Sequence, residues 1–238
     1  MAAVDGVRVE AGRISAVARD VDLATPVPWL GRWKIRDVVA HLGGVHRWAD
    51  RVVAQQSMDG PGFRKSTLDG DALLDWFDDG ADALVRTLSA VDPSEPCPNF
   101  NPGSEKTVGW WVRRQLHETT VHRWDVERAV VEPTPIDPAV AGDGVDEFLD
   151  TFVRTRGKQQ ASAPLLLAST DPARSWTITL ASKPGRVDVA RGAGEAGTTL
   201  SGPAASLLLV LWGRLELDAS DLTIEGDPAA ALDFLAGV

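Results

Sequence analysis

The sequence predicts an α+β protein in two parts, an up-and-down helical bundle followed by a small α+β domain. Three observations lead there. Over roughly the first 155 residues, apolar positions recur at helical spacing. The breakers TPVPW (25–29), MDGPGF (58–63) and DPSEPCPNFNPG (92–103) cut that stretch into separate helices, which joined this way form bundles. Near residue 160 the texture changes to short β-branched segments between turn residues. The domains are therefore expected at 1–157 and 158–238.

The elements follow in order. Positions 8–21 (RVEAGRISAVARDV) make one amphipathic stretch, with further helices expected at about 34–56, 70–91, 105–131 and 137–156. The last opens on Asp137-Pro138, a cap followed by proline in the first turn. Beyond residue 160, PLLLAST, RSWTITLAS, GRVDVARG and GTTLSG read as strands. A helix at 203–214, a strand LTIEGD at 221–226 and a final helix from 227 complete the second part.

Composition narrows the function classes. Of 238 residues, 44% are hydrophobic and 24% charged, enough for a packed core and against disorder. The net charge of −10, with no Lys/Arg cluster in sequence, argues against nucleic acid and anionic membranes as partners. The longest apolar run, AASLLLVLW (204–212), is too short to cross a bilayer. One cysteine, Cys97, excludes an intramolecular disulfide and a cysteine zinc cage. The N-terminus MAAVDGVRVEAGR lacks the pattern of a signal peptide. The expectation is a cytoplasmic protein, monomer or homodimer.

All four histidines sit in two near-copies of one phrase, H-x-x-x-V-H-R-W, beginning at His41 and at His117. On the fourth helix Val108, Trp111, Val112, Leu116, Val126, Ala129 and Val130 define the buried face at about 100° per residue. His122 lies within that stripe, Glu118 at its edge one turn earlier, and His117 nearly opposite. An ionisable pair beside a core face needs a partner. A divalent metal is one, because i, i+4 spacing puts two ligands on one helix face; an ordinary hydrogen-bonded couple is the other. On the second helix, His41 and His46 flank the apolar face Ile35, Val38, Val39, Leu42, Val45, Ala49 and Val52 on opposite sides, about 140° apart. They cannot both serve one metal, and periodicity does not choose between them. Each phrase is expected to give one histidine to the core and to leave the other superficial.

The stretches WKIRDVVAHLGGVHRW (33–48) and VGWWVRRQLHETTVHRWD (108–125) resemble the mycothiol-dependent maleylpyruvate isomerase family, within the wider DinB-like group of metal-binding four-helix bundles. The resemblance covers nearly the whole chain, since that family also carries a C-terminal domain similar to sterol carrier proteins. It implies that His41, Glu118 and His122 are the metal ligands, that the metal is zinc, and that coordination positions stay open for a thiol or water. His46 and His117 match no ligand position. The segment LSGPAASLLLVLWGR is similar to one that ends in a catalytic arginine, here Arg214; the bland alternative is an arginine favourable to a helix C-terminus. Arg64 and Lys65, in the loop after the second helix, are further candidates for facing a ligand.

Such a site has a definite chemistry. Two neutral imidazoles and one carboxylate leave a divalent ion a net charge near +1, and a coordinated thiol is deprotonated outright. The thiolate, with mycothiol as cosubstrate, could add to an activated double bond, permit rotation and leave, giving isomerisation; it could equally stay attached, giving S-transfer. Arg214 would hold a substrate carboxylate bidentately, and Asp125, one turn beyond His122, would orient that ligand. Cys97 has no neighbour in sequence to lower its pKa and is not read as a nucleophile. Two other readings stand beside this one. A hydrolase would use metal-bound water, and a non-catalytic carrier of an apolar ligand would need a closed, four-ligand structural metal.

Overall fold

The structure is a computed structural model and describes residues 3–153, 163–182 and 186–237. The chain divides into two compact units, Met1–Phe100 with Glu105–Pro135, and Asn101–Ser104 with Ile136–Val238.

Among the described residues, the first unit is built on helices α1 (Ala3–Arg19), α2 (Ile35–Gln55), α3 (Gly70–Ala90) and α4 (Val108–Arg128). Polar residues set where they begin. The Asp37 carboxylate accepts from the Lys34 backbone N–H ahead of α2 at 2.9 Å, and Asp69 accepts from Gly70 N–H at the head of α3 at 3.0 Å. Thr107 caps α4 through Trp110 N–H at 3.4 Å. Each helix packs on two others, α2 on α3 and α4, and α1 on α3 and α4. Ile14, Ile35, Val38, Leu42, Leu73, Phe77 and Val126 fill the space between them, all fully buried. Helix α4 departs from the amphipathic pattern. Arg114, His117, Thr119, His122, Arg123, Asp125 and Glu127 are as buried as its Trp110 and Val126. Its polar residues find protein partners instead of water: Arg123 donates to Glu10 of α1 at 2.6 Å and to Glu127 at 2.8 Å.

The second unit opens with α5 (Pro138–Glu147), capped by Asp137 through the N–H groups of Ala139 and Val140 as its sequence predicts, and running on as a wider turn over Phe148–Val153. Strands β1 (Leu165–Thr170), β2 (Ala173–Leu180), β3 (Val187–Arg191), β4 (Thr198–Gly202) and β5 (Thr223–Glu225) form a sheet in the order β3-β2-β1-β4-β5. Among the described residues only the β1–β4 pair is parallel. Helix α6 (Ala204–Leu211) follows β4, and α7 (Pro228–Ala236) follows β5. Alternate residues Leu165, Leu167, Trp176, Ile178 and Leu200 point into the core with Leu207, Leu208 and Phe234.

The division falls at residue 136, earlier than the 157/158 boundary read from texture. Helix α5 is helical like the bundle but packs on α6. Its Asp146 carboxylate accepts from Arg174, Trp176 and Arg191 of the sheet at 2.9, 2.8 and 2.7 Å. Secondary-structure texture cannot register that choice of partner. No helix among the described residues is long and apolar enough to cross a membrane.

Candidate metal centre

Helix α2 contributes His41 to the bundle interior, and α4 contributes Glu118 and His122 one turn apart. Glu118 Oε1 lies 3.2 Å from His41 Nε2 and 3.4 Å from His122 Nε2. One ligand atom from each of the three lies within 4.8 Å of the others. With bonds of about 2.0–2.1 Å, a tetrahedral zinc site has ligand–ligand edges of about 3.3–3.4 Å. Both edges to Glu118 lie close to that and the edge between the imidazoles is within 4.8 Å, so the donor set can close on such an ion. The Nδ1 atom of His41 is buried without a hydrogen-bond partner among the described residues, so its ring is oriented by the Nε2 contact with Glu118 and by packing.

The surroundings fix the protonation pattern. Asp125, fully buried, takes the Nδ1 side of His122 at 2.8 Å and accepts from Trp29 Nε1 at 2.7 Å with its other oxygen. A proton on Nδ1 leaves Nε2 of His122 as the atom facing Glu118. Burial alone would push the His122 imidazolium down, but hydrogen bonds to Asp125 and Glu118 outweigh it and raise the pKa to about 9. Burial likewise opposes ionisation of Glu118. Arg114, ion-paired to Oε2, and the two imidazoles more than offset it and hold the carboxyl well below its usual value. Trp33 lies against His41 and His122 at centroid distances of 5.2 and 6.4 Å, with Lys65 Nζ 3.4 Å above its ring. Phe63 meets His41 edge-on at 5.0 Å.

The other sequence candidates are placed as follows. Asp125 lies beside His122, as given above. Arg64 is exposed on the loop that crosses α2. Arg214 belongs to the second unit, where Gly213 at φ +66° closes α6 by donating to Val210 O while Arg214 N–H returns to Leu209 O. The Arg214 guanidinium donates to Trp212 O at 2.7 Å. Cys97 is buried, and burial pushes its thiol pKa up. One expectation is corrected: His46 and His117 are not superficial but 0% and 1% exposed. Helix α4 is enclosed all round, so His117 has no open side to face. His46 is taken into the core by a 3.0 Å contact of Nε2 with Thr119 Oγ1. Sequence reasoning also missed Arg114 and Trp29. Arg114 was within reach, since an Arg four residues before a Glu forms an i, i+4 pair. Trp29 had no signal beyond its place in a Pro-rich loop.

A bundle that gathers two imidazoles and a carboxylate, on a chain with a separate α+β unit, defines a DinB-like class of two-part protein. The sequence matches the mycothiol maleylpyruvate isomerase N-terminal domain over residues 7–127 and the MDMPI C-terminal domain over residues 139–233. The chain belongs to the mycothiol-dependent maleylpyruvate isomerase family. The fold agrees with the crystal structure of a mycothiol-dependent maleylpyruvate isomerase at 15% identity and a TM-score of 0.67, over 93% of this chain and 91% of that one. A histidine-to-alanine mutant of such an isomerase matches equally, at 14% identity with the same score and coverage. No curated protein matches the chain.

Proposed function

We propose that the protein is a divalent-metal enzyme, with zinc as its ion and mycothiol as cosubstrate, that isomerises or S-modifies a small electrophilic, carboxylate-bearing substrate in the cytoplasm. The observation that carries this reading is the convergence of His41, Glu118 and His122, with edges that suit a tetrahedral ion. Three protein donors leave a fourth position for a small thiol. A bound divalent ion supplies the Lewis acidity that keeps a coordinated thiol deprotonated at neutral pH.

The chain's own residues do the rest. Asp125, steadied by Trp29, keeps the Nδ1 side of His122 engaged so that Nε2 stays available. Arg114 keeps Glu118 ionised and turns one oxygen toward the imidazoles. Trp33 and Phe63 wall the cluster with apolar surface that limits water. The family resemblance assigns a substrate carboxylate to Arg214, and Arg64, on the loop after α2, is a further candidate for facing the ligand.

The decisive experiment measures metal content of the purified protein, then titrates mycothiol and assays thiol-dependent turnover. The expected result is one equivalent of metal, lost in Glu118→Ala, with turnover that requires thiol and vanishes in His122→Ala. Turnover undiminished without thiol would sink the thiol assignment. Metal content unchanged in Glu118→Ala would sink the site.

A further inference from the structure

We propose that the pocket between α2, α3 and the 58–66 loop is a separate binding site for a small carboxylate on a flat apolar body. The pocket, about 250 Å³, is lined by Arg47, Arg51 and Arg64 and by the rings of Trp48, Phe63 and Trp76. In a chain of net charge −10, three arginines lining one small cavity form a local positive site that sequence spacing disguises.

The three cations are not used up by acidic neighbours. Arg47 lies 4.0 Å from the Trp76 ring centroid, and its Nη1 is buried with no hydrogen-bond partner among the described residues. Asp79 and Asp50 act on it only through their fields, and burial lowers its pKa. Asp50 is occupied by Thr87 Oγ1 at 2.5 Å. Arg64 is exposed and forms no ion pair among the described residues. Arg51 donates to the backbone carbonyls of Asp59 and Pro61 at 2.5 and 2.6 Å, pinning the loop as the outer wall while keeping its full charge. Arg47 therefore brings to the pocket wall a cation that no carboxylate neutralises among the described residues, and a ligand carboxylate would supply that charge.

Three glycines make the space. A Cβ on Gly80 would stand 1.8 Å from Arg47 Nη1, one on Gly43 2.4 Å from the Trp76 ring, and one on Gly44 2.2 Å from the Arg64 carbonyl oxygen. The guanidinium, the indole and the loop each lie where only hydrogen fits. The volume is below the roughly 300–1,000 Å³ of sites for drug-sized ligands, which points to a small acid. The planar forks match a carboxylate bidentately, and the aromatic walls match a flat hydrocarbon body. Phe63 touches His41 and lines this pocket, so an acid bound here sits next to the His41, Glu118 and His122 cluster.

The test is independent of the metal and thiol reading because it uses full-length protein stripped of metal and given no thiol. Sodium benzoate is titrated calorimetrically against wild type, Arg47→Met and Arg64→Gln, with inorganic phosphate in a parallel arm. The expected result is saturable one-to-one benzoate binding, weakened about tenfold or more by each variant, with phosphate at least tenfold weaker than benzoate. Arg64→Gln lies on an exposed loop and keeps the test valid if Arg47→Met fails to fold. Absence of saturable benzoate binding up to roughly 10 mM, or binding indifferent to Arg64→Gln in folded protein, overturns the site. Phosphate binding as tightly as benzoate overturns the assignment to a flat carboxylate.

Discussion

His46 should make the helical unit sensitive to mild acid. Its ring is fully buried, 5.6 Å from the Phe77 centroid. The Thr119 hydroxyl donates to Gln115 O at 2.7 Å, so it can only accept from His46, which fixes the proton on Nε2. That leaves Nδ1 buried and unpartnered, with nothing to receive a second proton. Burial pushes the pKa from 6.5 to about 3; the Glu118 charge resists this, while Arg47, His122 and His41 reinforce it. A folded pKa below the unfolded one means that the unfolded chain takes up the proton first. Stability is therefore lost as pH falls from 6.5 toward 3. At pH 5 the unfolded side chain is 1.5 pH units below its pKa of 6.5. At about 1.4 kcal/mol per unit, that removes about 2 kcal/mol, or roughly 4–8 °C in Tm for a chain of this length. His46→Gln keeps an N–H for Thr119 and cannot titrate. The assay is urea unfolding followed by far-UV circular dichroism, at pH 7 and pH 5 with chelator present. Wild type should lose about 2 kcal/mol more than the variant over that interval. Equal losses in the two proteins would refute the assignment of a neutral core imidazole.

Three further outcomes follow from named contacts. Asp125→Asn replaces the acceptor that engages His122 and Trp29, and should weaken metal binding about 10–100-fold in a competition titration against a chromogenic chelator. Arg123→Met leaves the carboxylates of Glu10 and Glu127 buried without their shared cation. It should cost roughly 3–5 kcal/mol in the urea midpoint analysis; a loss under about 1 kcal/mol would mean that water reaches the network. Gly44→Ala drives a methyl into the Arg64 carbonyl, which is backbone and cannot swing away. It should lower stability by about 1–3 kcal/mol and raise protease cleavage in the 58–66 loop.

Most of the fold is legible because its signals are local. Asp137-Pro138 caps α5 where the sequence places a helix start, and the β-branched runs after residue 160 become β1 to β4. What local signals cannot carry is the choice of packing partner. Helix α5 reads like a bundle helix, yet its Asp146 is committed to Arg174, Trp176 and Arg191. Helix α4 shows the same limit within the site. Its apolar stripe was readable, but the opposite side is buried as well, so an angular argument from one stripe misplaced His117. Periodicity left His41 and His46 as equals. They are distinguished by what faces them, Glu118 in one case and Thr119 with Phe77 in the other. The Arg47, Arg51 and Arg64 pocket was illegible because two of its cations are on α2 and the third reaches them only through the path of a loop.

The grip of Arg114 on Glu118 has a consequence for ion choice. A carboxylate with one oxygen already held by a guanidinium gives its other oxygen most readily and is less apt to chelate with both. Calcium gathers six to eight oxygens, often taking both from one carboxylate, and magnesium keeps an octahedron of oxygen and water. A niche offering two ring nitrogens and one such oxygen starves either of those ions and suits a small, borderline-soft one. If the niche takes zinc as proposed, millimolar calcium should not displace it, and the arginine four residues upstream is the reason.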